Sequence, residues 1–316
     1  MSAGFLARRA LGTLAVLAIL SVGVFGLLYL APGSVERTLL GTRPASPEAL
    51  EAIRARYHLD EPVVTRYLRW LGGVLQGDFG TSIRTGMSVT DAIGSRLPLT
   101  LQLTAYGTLL AVLLGLPLGI VGAFRKGRAV DRAASVTAVA GMSAPPFAAG
   151  LVLLMAFAVH LPWFPVYGAG EGFGGRLLHL TLPALALAIG AAGLLVRFTR
   201  TALVRELDKD YIVFARARGL PPLRVAGYAL RNALIPILTA VGLIVTSTLA
   251  GTVLIEVTFA LPGLGSLLVD SVTFKDMPVV QALALLLTLL ISLVNLLVDV
   301  AYTVADPRVR FGEDTR

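Results

Sequence analysis

Six apolar runs of about 20 residues or more constrain this chain above all else, because that length is what crosses a hydrocarbon core of roughly 30 Å. They cover residues 10–31, 100–124, 133–159, 177–196, 233–255 and 279–304. In a bilayer no water satisfies the backbone, so such segments form helices, whose hydrogen bonds are internal. The expected fold is an all-α integral membrane protein with six transmembrane helices. Only 15% of the residues are charged, against about 25% in soluble domains, which excludes an ordinary soluble fold. The first run follows Arg8 and Arg9 as a signal peptide would. It is longer than the 7–15 residues of a signal core, and Pro32 would directly follow a cut at Ala31, so it is read as a retained span.

The basic excess of +8 has a membrane explanation before a nucleic-acid one. Cytoplasmic loops keep Lys and Arg. The N-terminal arm, the second and fourth loops and the tail together hold 17 of the 27 basic residues. Arg176 stands alone in the third loop, as does Lys275 in the fifth. Both termini are therefore read as cytoplasmic: an arm at 1–9, a six-helix transmembrane domain at 10–304 and a tail at 305–316. Residues 32–99 form a long first external loop, and 197–232 a cytoplasmic one. There is no cysteine, and His58, His160 and His179 are too scattered for metal-ligand spacing.

The external loop reads as two short helices. Ser46-Pro47-Glu48 supplies a cap, a first-turn proline and a first-turn acid before 49–57. Val63, Val64, Tyr67, Trp70, Leu71, Val74 and Leu75 then recur at helical spacing. That greasy face fits packing on the protein's own surface or the lipid interface, with docking of a partner as the alternative. Gly115, Gly119 and Gly122 in the second span, and Gly190 and Gly193 in the fourth, would let helices approach closely. Pro145-Pro146 should interrupt the third span.

The fourth loop is too patterned for a connector. Residues 208–218 read as a short helix with Tyr211, Ile212, Phe214 and Ala215 on one side, Gly219 as its stop and Pro221-Pro222 beyond. From composition alone, a basic helix resting on anionic headgroups fits equally well.

This segment, Asp210-Tyr211-Ile212-Val213-Phe214-Ala215-Arg216-Ala217-Arg218-Gly219-Leu220, continuing through Arg231-Asn232 to Pro236, resembles the coupling loop of permease subunits of binding-protein-dependent ABC importers. The general importer pattern begins Glu-Ala-Ala, with a glycine four residues on. Here those positions hold Val213, Phe214 and Ala215 ahead of Gly219, a replacement typical of the dipeptide/oligopeptide branch. Further similar pieces are Asp60-Glu61-Pro62, Gly77-Asp78-Phe79-Gly80-Thr81-Ser82, Leu97-Pro98-Leu99-Thr100, Glu256-Val257-Thr258-Phe259, Pro262-Gly263-Leu264-Gly265, Asp276-Met277-Pro278, Asn295-Leu296-Leu297-Val298-Asp299 and Asp306-Pro307-Arg308. The long first loop and short arm resemble the branch's B-type subunit.

The resemblance implies a homologous C-type second permease, two ATPase subunits, an external substrate-binding protein and a peptide substrate. It assigns ATPase coupling to Tyr211, Phe214, Ala215, Arg216, Ala217, Gly219 and Leu220. ATP and Mg would sit on the partners, since this chain lacks a G-x-x-x-x-G-K-[ST] loop. Nickel, glutathione or another small solute remain alternative cargoes. An ion-coupled secondary transporter would need a midplane charge pair or internal repeats, and neither is visible. Asn295 and Asp299 lie four apart on one helix face, which suits pathway lining, an inter-helix hydrogen bond or a charge pair. Glu256 suits either a peptide ammonium group or a capping role.

Overall fold

The computed structural model describes residues 3–30, 46–57 and 60–305. The expectations for Ala31, Pro32, His58 and the tail motif from Asp306 fall outside these residues. Along the chain run α1 (Ala3–Leu30), α2 (Pro47–Tyr57), α3 (Val63–Leu75), α4 (Val89–Gly94), α5 (Leu97–Phe124), α6 (Ala129–Ser143), α7 (Pro146–Leu154), a π-helical stretch (Met155–His160), α8 (Gly172–Leu207), α9 (Asp210–Ala217), α10 (Pro222–Thr258), α11 (Leu264–Thr273) and α12 (Met277–Ala305). Among the described residues five helices are long and apolar enough to span a membrane, or six if the bent pair of α6 with α7 and its π-helical extension counts as one span.

The third span bends by 99° between Ser143 and Pro146. Pro145 caps α7 and Pro146 is its first residue. Neither has an amide hydrogen to continue α6, so the ladder stops there. The fourth and fifth spans reach further than their apolar runs. At 1.5 Å per residue, the 36 residues of α8 extend about 54 Å, well beyond a hydrocarbon core. Consequently most of the expected loop at 197–232 is helix: α8 continues to Leu207 and α10 starts at Pro222.

Two compact units divide the chain. The first spans Thr100–Leu261 and the described residues from Val294 onward, with α8 as its most buried element. Small residues let its neighbours approach. A Cβ on Gly115 would stand 2.7 Å from the Ala192 carbonyl oxygen, and one on Gly119 2.7 Å from Thr199 Cβ. Gly193 sits similarly tight against the Ala138 carbonyl of α6. Nearby, Asp131 accepts from Arg200 Nε at 2.5 Å and Nη2 at 2.9 Å, tying α6 to α8.

The second unit comprises the described residues up to Leu99 together with Pro262–Leu293. The greasy face of α3 meets α1: Tyr67 and Trp70 ring centroids lie 5.4 and 5.6 Å from Phe25, and the Tyr67 hydroxyl is 2.8 Å from Ser21 Oγ. Self-packing thus occupies part of that face, while Val64 and Leu75 stay exposed. A short helix that periodicity missed, α4, seats Val89 against Leu264, Val279, Ala282 and Leu283. Beside it, buried Asp276 accepts from the Ser82 hydroxyl, the Ile83 amide at 3.0 Å and the Arg84 amide at 3.4 Å.

Candidate functional site

The short helix α9 is held from behind by the ends of the two long helices. Ile212 and Ala215, three residues apart and so on one face, are buried in a cluster with Leu207 of α8 and Val225, Ala229 and Ala233 of α10. Tyr211 completes the attachment. Its hydroxyl donates to Glu206 Oε2 at 2.8 Å and accepts from Asn232 Nδ2 at 2.8 Å, so one phenol joins both long helices. Burial, followed by the bonds with Glu206, pushes the Tyr211 hydroxyl above its ordinary pKa, against the opposing bond from Asn232. The Glu206 carboxylate 2.7 Å away likewise holds Lys209 above its usual value.

Phe214 does not share the burial of Ile212 and Ala215. At 100° per residue it lies some 160° around the helix from Ile212, and it is 68% exposed with Val213 at 56%. Arg216 and Ala217 are also exposed. Ala215 is turned inward, so the expected coupling residues separate into an inner set that docks the helix and an outer set free to meet another surface.

The helix ends as its glycine required. Gly219 has φ of +75°, the Leu220 amide donates to the Ala215 carbonyl at 3.2 Å, and the Gly219 amide donates to that of Arg216 at 2.9 Å. This is a Schellman closure. Leu220 folds back on the same buried cluster, and Pro221 and Pro222 then start α10. Two sharp turns therefore frame eight helical residues.

The polar candidates lie elsewhere. Glu256 is fully buried near the end of α10 and accepts from Thr100 Oγ1 at 2.6 Å, a setting that suits its structural alternative. On α12, Asn295 is exposed and Asp299 half-buried. Val298 packs at Gly242, about 21 Å along α10 from Glu256, so these three residues do not form one cluster. Sequence reading missed Glu206 as the partner of Tyr211. It also missed the Asp276 grip on Ser82, although both quoted motifs contain its ends.

Comparison with known proteins gives a consistent pattern. A model of the family described as binding-protein-dependent transport system inner membrane component matches residues 115–311, and one of its N-terminal membrane component matches residues 2–104. The chain is 39% identical over 308 residues to the glutathione transport system permease protein GsiC of Salmonella paratyphi A, covering 97% of this chain and 99% of the relative. It is 37% identical over 316 residues to the oligopeptide transport system permease protein AppB of Bacillus subtilis, covering 98% and 100%. Among solved structures, an inward facing conformation of the MetNI methionine ABC transporter aligns with 66% of this chain and 93% of its own, at a TM-score of 0.56 and 19% identity. That last likeness concerns the fold alone.

Proposed function

The chain belongs to the family of binding-protein-dependent transport system inner membrane components, and from that premise we propose that it is one of two homologous permease subunits that import peptides by alternating access. It is a transport subunit, not an enzyme, and lies in the inner membrane as a multi-pass protein. ATP and Mg belong to two ATPase partners, and an external binding protein delivers the solute. Both termini lie on the cytoplasmic side in this reading, which the Lys and Arg asymmetry supports.

The observation that carries the proposal is the two-sided α9. Ile212 and Ala215 fix it to the ends of α8 and α10, while Val213, Phe214 and Ala217 are left outward. A helix so held suits force transfer: an ATPase pressing on the outer face would move two long helices through the buried one. Arg216 and Arg218 supply positive charge around an apolar patch, which fits a groove on a soluble partner as well as headgroups.

Peptide cargo is supported by relatives named for oligopeptides and for glutathione, itself a peptide-like solute. The 39% identity to the glutathione permease makes that solute the specific second reading. Reconstitution with the second permease, the ATPases and the binding protein tests the assignment. Uptake of peptide should be vanadate-sensitive and should survive collapse of ion gradients. Vanadate-resistant uptake that an ionophore abolishes would overturn it, and uptake of glutathione without alanine tripeptides would select the second reading.

A further inference from the structure

Where the third apolar run breaks, the chain forms an open cavity. Pro145 and Pro146 lack amide hydrogens, so the carbonyls of Gly141 and Met142, four residues earlier, have no helical donor. Ala144 between them is extended, with φ −83° and ψ 121°. Non-helical backbone within an apolar span is tolerated where protein covers it or where it borders a polar cavity. Here Met142 and Pro146 face Gly190 of α8 and Ser247, Thr248 and Gly251 of α10 around a space of about 240 Å³. That is room for roughly eight water molecules at 30 Å³ each.

Leu187, Ala191 and Leu194 add apolar wall, and Ser247 and Thr248 bring the polar side chains. No ionisable side chain lines the space. The Gly141 carbonyl oxygen lies 3.5 Å from where a Cβ on Gly190, a lining residue, would stand, so the broken segment of α6 packs closely on α8 there. Ser247 donates to the Ile244 carbonyl at 3.0 Å, which leaves its oxygen lone pairs as acceptors. Thr248 is buried and bonded to Ile244 at 2.9 Å and to Thr108 at 3.0 Å, and so is fixed in place. Acceptors without charge, on a wall thinned by glycine, suit amide N–H donors better than a carboxylate or an ammonium.

We propose that this cavity receives the main chain of the transported peptide through neutral hydrogen bonds, making it a contact indifferent to side-chain identity. The proposal rests on the peptide-import reading above and adds where in this chain the peptide is met. Charged termini and side chains would be left to the external binding protein and to the solvated remainder of the pathway.

The chain has no cysteine, so Ser247→Cys installs a single thiol in the cavity. In proteoliposomes holding the complete complex, turnover with alanine tripeptide should slow maleimide labelling of that thiol about tenfold. Tripeptides with one Lys or one Glu side chain should protect equally. The bulkier Ser247→Phe should lower uptake about tenfold while binding-protein-stimulated ATP hydrolysis persists. Labelling unaffected by peptides that the complex does import would overturn the cavity assignment and leave the transport reading standing. Protection that follows side-chain charge would overturn the main-chain assignment. A complex that imports no peptide but does import another solute would overturn the peptide-cargo reading on which the assignment rests.

Discussion

The amide of Leu220 reaches the carbonyl of Ala215 at 3.2 Å, a closure made by the left-handed backbone of Gly219 at φ +75°. A Cβ added there would meet nothing within 4 Å, so any penalty is conformational and not a clash. Gly219→Ala should cost about 1 kcal/mol and Gly219→Val more, because branching adds to the left-handed strain. Thermal unfolding of the purified subunit reads the cost, and recovery of ATPase on affinity purification should fall in the same order. Ala260 holds the equivalent position after α10, at φ +49°, with Leu261 bonded back to Glu256 at 2.8 Å. Ala260→Gly should therefore raise the melting temperature, and a drop would contradict this account of both turns.

The two faces of α9 should separate in mutagenesis. Phe214→Asp changes an exposed side chain, so membrane insertion and melting should remain within about 0.5 kcal/mol of wild type while ATPase recovery is lost. Ile212→Ala removes a buried side chain and should destabilise by about 2–5 kcal/mol, taking ATPase binding with it. Ala215→Asp belongs with the second class, since Ala215 is buried in the chain's own core. If Phe214→Asp retains full ATPase recovery and transport, the outer face is not the docking surface.

Hydropathy made the spans visible because it reports which residues prefer hydrocarbon. It could not report where helices end. Residues 197–207 carry Arg197, Arg200 and Arg205, yet the ladder of α8 runs through them because backbone bonding is indifferent to side-chain polarity once water is available. Gly219 was legible because its stop signal is local, a glycine following a short amphipathic helix. The exposure of Phe214 was not legible because four apolar residues within five positions suggest one cluster, whereas the neighbours that fix the buried direction, Val225 and Ala229, come later in the chain. The Asp276 grip spans nearly two hundred residues, and no periodicity links such partners. Pro145-Pro146 announced a break, but the facing wall of Ser247, Thr248 and Gly251 appears only when α10 packs opposite it.

Asp276 gathers the Ser82 hydroxyl and the amides of Ile83 and Arg84, while the Arg84 guanidinium sits 3.9 Å over the Phe274 ring and 3.6 Å from Asp270. Asp276→Ala would orphan the buried hydroxyl and release two amides, a loss of about 1–3 kcal/mol. That cost falls on the local turn, so trypsin should cut after Arg84 faster than in wild type at temperatures where the rest of the chain stays folded. Asp276→Asn, which keeps the shape and one acceptor, should lie between the two. Equal cleavage in all three proteins would show that the carboxylate does not hold the turn.

Tyr211 links α9 to pH. Its hydroxyl donates to one carboxylate and accepts from one amide, so Tyr211→Phe should cost about 1 kcal/mol. In the folded chain the phenol's pKa is raised, first by burial and then by the bond to Glu206. The folded state therefore holds this proton more tightly than the unfolded one does. The contribution is present in full below the unfolded tyrosine value of about 10 and is lost as pH rises through the raised folded value. Ionised, the oxygen would face the Glu206 carboxylate and could no longer donate to it. The difference in melting temperature between wild type and Tyr211→Phe should accordingly stay constant from neutral pH to about 10 and shrink above it. A gap that closes between neutrality and pH 9 would assign the sensitivity to another group and remove Tyr211 as the bridge between the two long helices.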